Sequence, residues 1–170
     1  MKNSIFILFL TSLLFANSSG PNAGHANNAP NLNNCTSCHS GTANTGDGSV
    51  SFAGLPESYV PGTTYEITVT VDGTGGSGYG FQAIAQAGDT PAGNIALNAS
   101  SSQAEMNGDY IQQSTPTTSG SWVFDWIAPS SDVGDVTFSA SGLAANYPSS
   151  NAGDEVYTSA IVIPALVPAD

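Results

Sequence analysis

Short runs of alternating residues, separated by Gly, Pro and Asp-Gly turns, dominate the chain after residue 48. Two runs show the alternation typical of a half-buried strand: residues 65–71, Tyr-Glu-Ile-Thr-Val-Thr-Val, and residues 122–126, Trp-Val-Phe-Asp-Trp. The other candidate strands are residues 49–52, 78–87, 94–98, 110–114, 136–140 and 156–163. Because no long helical period accompanies these runs, residues 49–170 are predicted to form one all-β domain, an antiparallel β-sandwich.

A polar segment, residues 20–48, precedes the predicted strands. It is rich in Asn, Gly and Pro and has no apolar period, which predicts a loop. The loop contains Cys35, Cys38 and His39 in the Cys-x-x-Cys-His pattern of c-type haem attachment. Two thiols at this spacing can add to the two vinyl groups of one haem, and the adjacent imidazole then reaches the iron. The sequence therefore predicts a haem-attachment loop that carries one covalent haem c per chain, with His39 as an axial ligand.

Other interpretations of the cysteine pair are a redox-active thiol pair, a zinc site and a structural disulfide followed by an incidental His. A redox-active pair normally begins a helix after a strand, whereas this pair lies in an Asn-rich loop. Zinc requires about four ligands, and when His39 is taken as incidental only three soft ones lie here, Cys35, Cys38 and, as the third, His25. The structural Cys pair is the alternative that stays open.

Two further kinds of site have weaker support. Asp132 with Asp135, or Asp154 with Glu155, are candidate calcium ligands, but no spaced calcium-binding loop is present, which favours turn and solubility roles. The many Ser residues lack a Gly-x-Ser-x-Gly pattern, so hydrolytic activity has no support. We expect a protein that is not an enzyme.

A haem iron takes a second axial ligand or keeps an open position. The predicted mature chain offers one other histidine, His25, and one methionine, Met106. His25 lies ten residues before the cysteine motif in the same loop and is favoured over Met106, while an open site remains the third alternative. The loop has few large apolar residues, so a haem would lean on the sandwich or stay partly exposed. The tryptophans of residues 122–126 are candidates for ring contact, although such a face is more often core.

Residues 1–19 are predicted to be a signal peptide, because Lys2 precedes an apolar run that is too short to span a bilayer comfortably. A retained N-terminal anchor is the alternative. We expect the mature protein to be soluble and exported, as a secreted, cell-surface or periplasmic protein. Lys2 is the only Lys or Arg, against 13 Asp and Glu residues. Without a basic patch, binding to nucleic acid and direct binding to anionic membranes are excluded.

The order of short motifs along the chain resembles the choice-of-anchor V domain, a Reeler-like domain of exported bacterial proteins. The matching segments cover nearly all of the predicted mature chain: residues 19–21, 24–25, 29–30, 34–39, 59–62 with Tyr65, 80–81, Trp122, Phe124, Trp126, 128–129, 134–138, Asn146, and 153–154 with Tyr157. The resemblance implies an immunoglobulin-like (Reeler-like) antiparallel β-sandwich preceded by a haem-attachment loop. It also implies a tether at the C-terminus, for which residues 167–170 offer no signal.

The same resemblance implies a histidine shortly after a tyrosine, in the segment that reads Tyr-Ile-Gln-Gln at residues 110–113 here. Gln113 stands in its place. If that histidine is the usual distal ligand, this chain must use another residue or leave the iron open.

Three hypotheses of function follow from the sequence. The first is an exported, mono-haem c-type protein that transfers electrons to or from a redox partner at or outside the cell envelope. The second is an extracellular binding or adhesion β-sandwich that recognises a cell-surface partner and has a structural Cys pair. The third and least favoured is sensing or peroxidase-like chemistry at an open iron site.

Overall fold

The protein is a sandwich of two antiparallel β-sheets. The structure, a computed structural model, describes residues 19–74, 76–146 and 151–166. The ten strands are β1 (Ser49–Ala53), β2 (Thr64–Asp72), β3 (Gly78–Ala87), β4 (Thr90–Pro91), β5 (Asn94–Leu97), β6 (Ala104–Asn107), β7 (Tyr110–Gln113), β8 (Ser121–Ile127), β9 (Val136–Ala145) and β10 (Glu155–Ile163). One sheet has the order β1-β2-β8-β5; the other has the order β10-β9-β3-β7-β6, with β4 paired to β3.

The four-stranded sheet follows directly from the alternation in β2 and β8. Ile67 lies opposite Phe124 and Val69 opposite Trp122, and all four side chains are buried between the sheets. Their polar neighbours in sequence point outward, as a strand with one buried face requires. The tryptophans of β8 therefore belong to the core, which is the role that the sequence analysis favoured. They face away from the outer surfaces of the sandwich.

The six-stranded sheet packs closely on this core because its central strands carry small residues. A Cβ placed on Gly142 of β9 would lie only 2.6 Å from Cγ2 of Val71. Phe138, also on β9, sits at the centre, with its ring centroid 4.9 Å from that of Trp126 and 5.9 Å from that of Phe52. Close packing of this kind is typical of protein interiors.

The predicted all-β sandwich is confirmed, and all eight predicted runs are strands. β9 continues five residues beyond the predicted end at Ala140, because its Ser, Gly and Ala residues pair with β3 and β10 along the whole strand. Strands β4 and β6 were not predicted. The predicted signal peptide falls almost entirely outside the described residues. Among the residues that are described, no helix has the length and apolar character of a membrane span.

Residues 19–48, here called the strap, cover the outer face of the six-stranded sheet. Beneath the strap runs a row of polar residues, one on each of five strands, in which neighbours lie directly opposite each other. From β10 across to β6 they are Thr158, Ser141, Gln82, Gln112 and Glu105. Gln82 has no exposed surface, and its Nε2 donates to Gln112 Oε1 at 2.8 Å. Because buried amides need partners, the strap has to supply the remaining ones.

The strap bonds to successive members of this row as it crosses the sheet. Its contacts are Asn22 O and His25 N to Gln82, Cys35 N to Ser141, and Asn44 Oδ1 to Thr158. Apolar burial adds to these bonds, since Ile84 of β3 is 2 % exposed although it lies outside the core between the sheets. The strap is therefore a built part of the fold that fixes the position of the cysteine motif.

Candidate haem site

The cysteine motif forms one compact turn on the strap. Cys35–Ser37 is a 3₁₀ turn, and Asn34 caps it by accepting a hydrogen bond from Thr36 N at 2.9 Å. Cys38 N and His39 N both donate to Cys35 O, at 3.2 and 2.9 Å. Asn is a favoured cap because its short side chain reaches the first free N–H groups. The local sequence therefore brings both thiols and the imidazole together.

The two thiols have different environments. Cys35 is partly buried against β9, where its N–H donates to Ser141 Oγ and the Ser141 hydroxyl donates to Cys35 Sγ, both at 3.1 Å. Burial raises the pKa of Cys35 to about 11, an increase that the hydrogen bond from Ser141 partly offsets. Cys38 is exposed, and both cysteines are free thiols. Redox-active thiol pairs depend on a lowered pKa, so the environment of Cys35 argues against that alternative.

This difference predicts unequal alkylation in protein produced without haem. At pH 8 a thiol of pKa about 11 is thiolate in about one molecule in a thousand, and the thiolate is the reactive form. We expect iodoacetamide to modify Cys38 at least about tenfold faster than Cys35, and the Cys35 rate to increase as the pH rises toward 11. Peptide mass spectrometry over time measures both rates. In urea the two rates should converge, and equal rates in the folded protein would contradict the assigned environments.

His39 is held by a carboxylate from the other end of the chain. Its Nδ1 lies 2.6 Å from Asp154 Oδ2, and the Asp154 side chain is 2 % exposed. Asp154 is itself fixed, because its Oδ1 accepts a hydrogen bond from Asn146 N at 2.9 Å. A carboxylate accepts, so Nδ1 donates this hydrogen bond, and in the neutral imidazole Nε2 then has a lone pair for another partner.

The connection between β9 and β10 also clamps the end of the motif. Asn151 Nδ2 donates to Cys38 O at 2.6 Å, and Asn151 O accepts from Ser40 N at 3.0 Å. Asp154 and Glu155 are candidate calcium ligands in the sequence. Instead Asp154 binds His39, and Glu155 accepts a hydrogen bond from Tyr157 OH at 2.8 Å. No group of three or more His, Cys, Asp or Glu side chains suited to a metal ion occurs among the described residues.

His25 lies on the same face of the sheet as the cysteine motif. Its backbone N–H donates to Gln82 Oε1 at 2.6 Å, and its ring Nδ1 lies 2.9 Å from Asn22 O. Gln82 is directly opposite Ser141, which holds Cys35. The row beneath the strap thus brings His25 and the motif to adjacent strands.

The structure does not bring Met106 to this face. Met106 lies on β6 and packs against the core, opposite Ile111, whereas its neighbour Glu105 points outward and accepts a hydrogen bond from Gln112. Gln113 is buried and accepts a hydrogen bond from Phe81 N at 2.6 Å, which completes the edge of the pairing between β3 and β7. Of the side chains considered as axial ligands, His39 and His25 therefore share the face that carries the cysteines.

The donor set fits a covalently attached haem. Thioether attachment requires two thiols and an axial imidazole within one short segment, and the 3₁₀ turn provides them. A histidine ligand usually has its second ring nitrogen bonded to a carboxylate or carbonyl, as His39 has with Asp154. Cys38 is exposed, so a large ring has direct access to that thiol, whereas Cys35 is partly buried against Ser141.

Comparison with known proteins identifies the fold. No family model and no curated protein matches the chain. Among solved structures, the human F-spondin reeler domain superposes with a TM-score of 0.56 at 24% identity, over 74% of this chain and 95% of that one. The Reelin-N domain of F-spondin gives 0.55 at 23%, over 75% and 93%. The chain therefore has the Reeler-domain fold, as the sequence resemblance implied, while its assignment to the choice-of-anchor V domain stays a prediction.

Proposed function

We propose that this chain is an exported, mono-haem c-type protein that transfers single electrons at or outside the cell envelope. The observation that carries the proposal is the hydrogen bond from His39 Nδ1 to the buried carboxylate of Asp154, within the turn that also holds Cys35 and Cys38. A metal ligand commonly has such a partner.

Each residue has a defined task in this proposal. Cys35 and Cys38 would hold the porphyrin by thioether bonds, and His39 would bind the iron through Nε2. Asp154 fixes the tautomer and orientation of His39, and Asn146 fixes Asp154. When bound, haem supplies a one-electron Fe(II)/Fe(III) couple. The strap holds this site against the sheet through Ser141 and Thr158.

The charge of the chain indicates which partners suit it. Residues 3–170 contain no Lys or Arg, and the chain has 13 Asp and Glu. A redox partner that docks here would present a basic or neutral surface, because like charges repel at an interface. Nucleic acids and anionic membranes are disfavoured for the same reason.

Covalent haem is the expected result of expression in cells that carry haem-maturation machinery. The intact mass should exceed the polypeptide by one haem, and the colour should survive acid-acetone extraction. Cys35→Ala with Cys38→Ala should abolish the added mass completely. A wild-type mass that shows only a Cys35–Cys38 disulfide, from maturation-competent cells, would reject the proposal and favour the extracellular binding module.

The double variant should remain folded. The main core consists of residues on the strands and the loops between them, and Cys35 and Cys38 are not part of it. The hydrogen bond that the Cys35 thiol makes to a strand comes from Ser141 on the outer face of β9. We expect a cooperative unfolding transition with a β-type circular dichroism spectrum. An unfolded double variant would instead make the cysteines or the haem a structural requirement.

A further inference from the structure

We infer that His25 is the second axial ligand of the iron, an inference that rests on the proposed function. The chain has two histidines, His25 and His39, and the rings of both have the same kind of hydrogen-bond partner. In each ring Nδ1 faces an oxygen acceptor: Asn22 O at 2.9 Å for His25, and Asp154 Oδ2 at 2.6 Å for His39. A carbonyl oxygen only accepts, so Nδ1 of His25 donates, and in the neutral imidazole Nε2 then has a lone pair for a metal.

His25 is anchored to the sheet through its backbone N–H group. Gln82 Oε1 accepts from His25 N at 2.6 Å, while Gln82 Nε2 donates to Asn22 O at 3.0 Å. The same Asn22 oxygen thus faces the Gln82 amide and the His25 ring. Because Gln82 is fully buried, this arrangement fixes the backbone and the ring of His25 together.

The anchor places His25 beside the cysteine motif. Gln82 on β3 lies directly opposite Ser141 on β9, and Ser141 holds Cys35. Directly opposed residues on neighbouring antiparallel strands have Cβ atoms about 4.5–5.5 Å apart. His25 is therefore held over β3, and the turn that carries the thiols is held over β9. Both lie on the outer face of the six-stranded sheet. Met106 packs on the opposite, core-facing side.

The test uses haem-loaded protein in which covalent haem has first been verified by intact mass. Wild-type protein should show the six-coordinate, low-spin absorption and electron paramagnetic resonance spectra of two imidazole ligands. His25→Ala should convert the iron to high-spin, and added imidazole should restore the low-spin spectrum. His25→Met should give a new sulfur-to-iron charge-transfer band, a gain of signal that a merely structural role for His25 cannot produce. Met106→Leu is the matched control and should leave the spectrum unchanged.

The outcomes separate this inference from the proposed function. Absence of covalent haem in the wild type overturns both. Haem that is attached but stays low-spin in His25→Ala, or that loses a charge-transfer band in Met106→Leu, overturns the His25 assignment alone. A wild-type protein that is already high-spin also overturns it and favours an open site.

Discussion

Trp126→Ala is expected to lower the free energy of unfolding by about 3–5 kcal/mol, the largest stability effect that we predict for a single side chain. Trp126 has no exposed surface, and its ring packs on those of Tyr59, Tyr65 and Phe138, with centroids 4.9–5.7 Å away. Its Nε1 also donates to Ala92 O at 2.9 Å. The variant therefore loses buried apolar area, leaves a cavity and orphans a buried carbonyl.

Urea unfolding followed by circular dichroism measures this effect, with haem-free protein used for both variants. Val162→Ala is the control, because Val162 on β10 is 57 % exposed and its truncation should change the free energy of unfolding by about 0.5 kcal/mol or less. A Trp126→Ala protein within about 1 kcal/mol of wild type would show that the ring cluster is not the centre of the core.

The part of the fold that the sequence predicted is the part governed by period-two alternation. β2 and β8 each have one apolar face and one polar face, and their predicted spans match the strands to within one residue at each end. β9 reads Val-Thr-Phe-Ser-Ala-Ser-Gly-Leu-Ala-Ala, and its second half has small residues with weak strand preference. Pairing with β3 and β10 overrides that preference, which a local pattern cannot reveal.

The strap was not predictable from the sequence for a related reason. Glutamine is normally a surface residue, so Gln82, Gln86 and Gln112 gave no signal of burial. Gln82 and Gln86 are buried because strap residues, Asn22 with His25 and Asn28, supply hydrogen-bond partners, whereas the partners of Gln112 are Gln82 and Glu105 on the same sheet. The sequence predicted a loop for the strap but could not predict that it would cross a sheet face. Because the strap crosses the sheet, His25 is anchored on the same sheet face as the cysteines.

Asp154 was missed as part of the site because it is 115 positions from His39 in sequence. The local pattern around Asp154 suggested only a turn or a weak cation ligand. The hairpin of β9 and β10 returns Asp154 to the motif, and no feature of the five motif residues specifies that partner. Attachment chemistry could be predicted from local spacing, whereas the hydrogen bond that orients the histidine depends on the whole topology.

Asp154→Asn is expected to raise the midpoint reduction potential of the haem-loaded protein. A hydrogen bond from His39 Nδ1 to a carboxylate makes Nε2 a stronger donor, and a stronger donor favours Fe(III) over Fe(II). In Asp154→Asn an amide oxygen that faces His39 accepts more weakly, so the balance shifts toward Fe(II). The amide NH2 then faces Asn146 N–H and leaves it without an acceptor. Asp154→Ala removes the acceptor altogether and should raise the potential further. Like Asp154→Asn, it leaves Asn146 N–H without an acceptor, at a cost of about 1–3 kcal/mol in stability.

Spectroelectrochemical titration measures this shift, and the control must separate hydrogen bonding from charge. Asp47→Asn removes an exposed carboxylate at the same end of the sandwich, near Tyr157, without touching His39. Its effect should be small and should fade in high salt, because exposed charges are screened. The effect of Asp154→Asn should persist in salt, since the side chain is buried. Equal shifts in the two variants, or no shift in Asp154→Asn, would show that Asp154 does not act on the iron through His39.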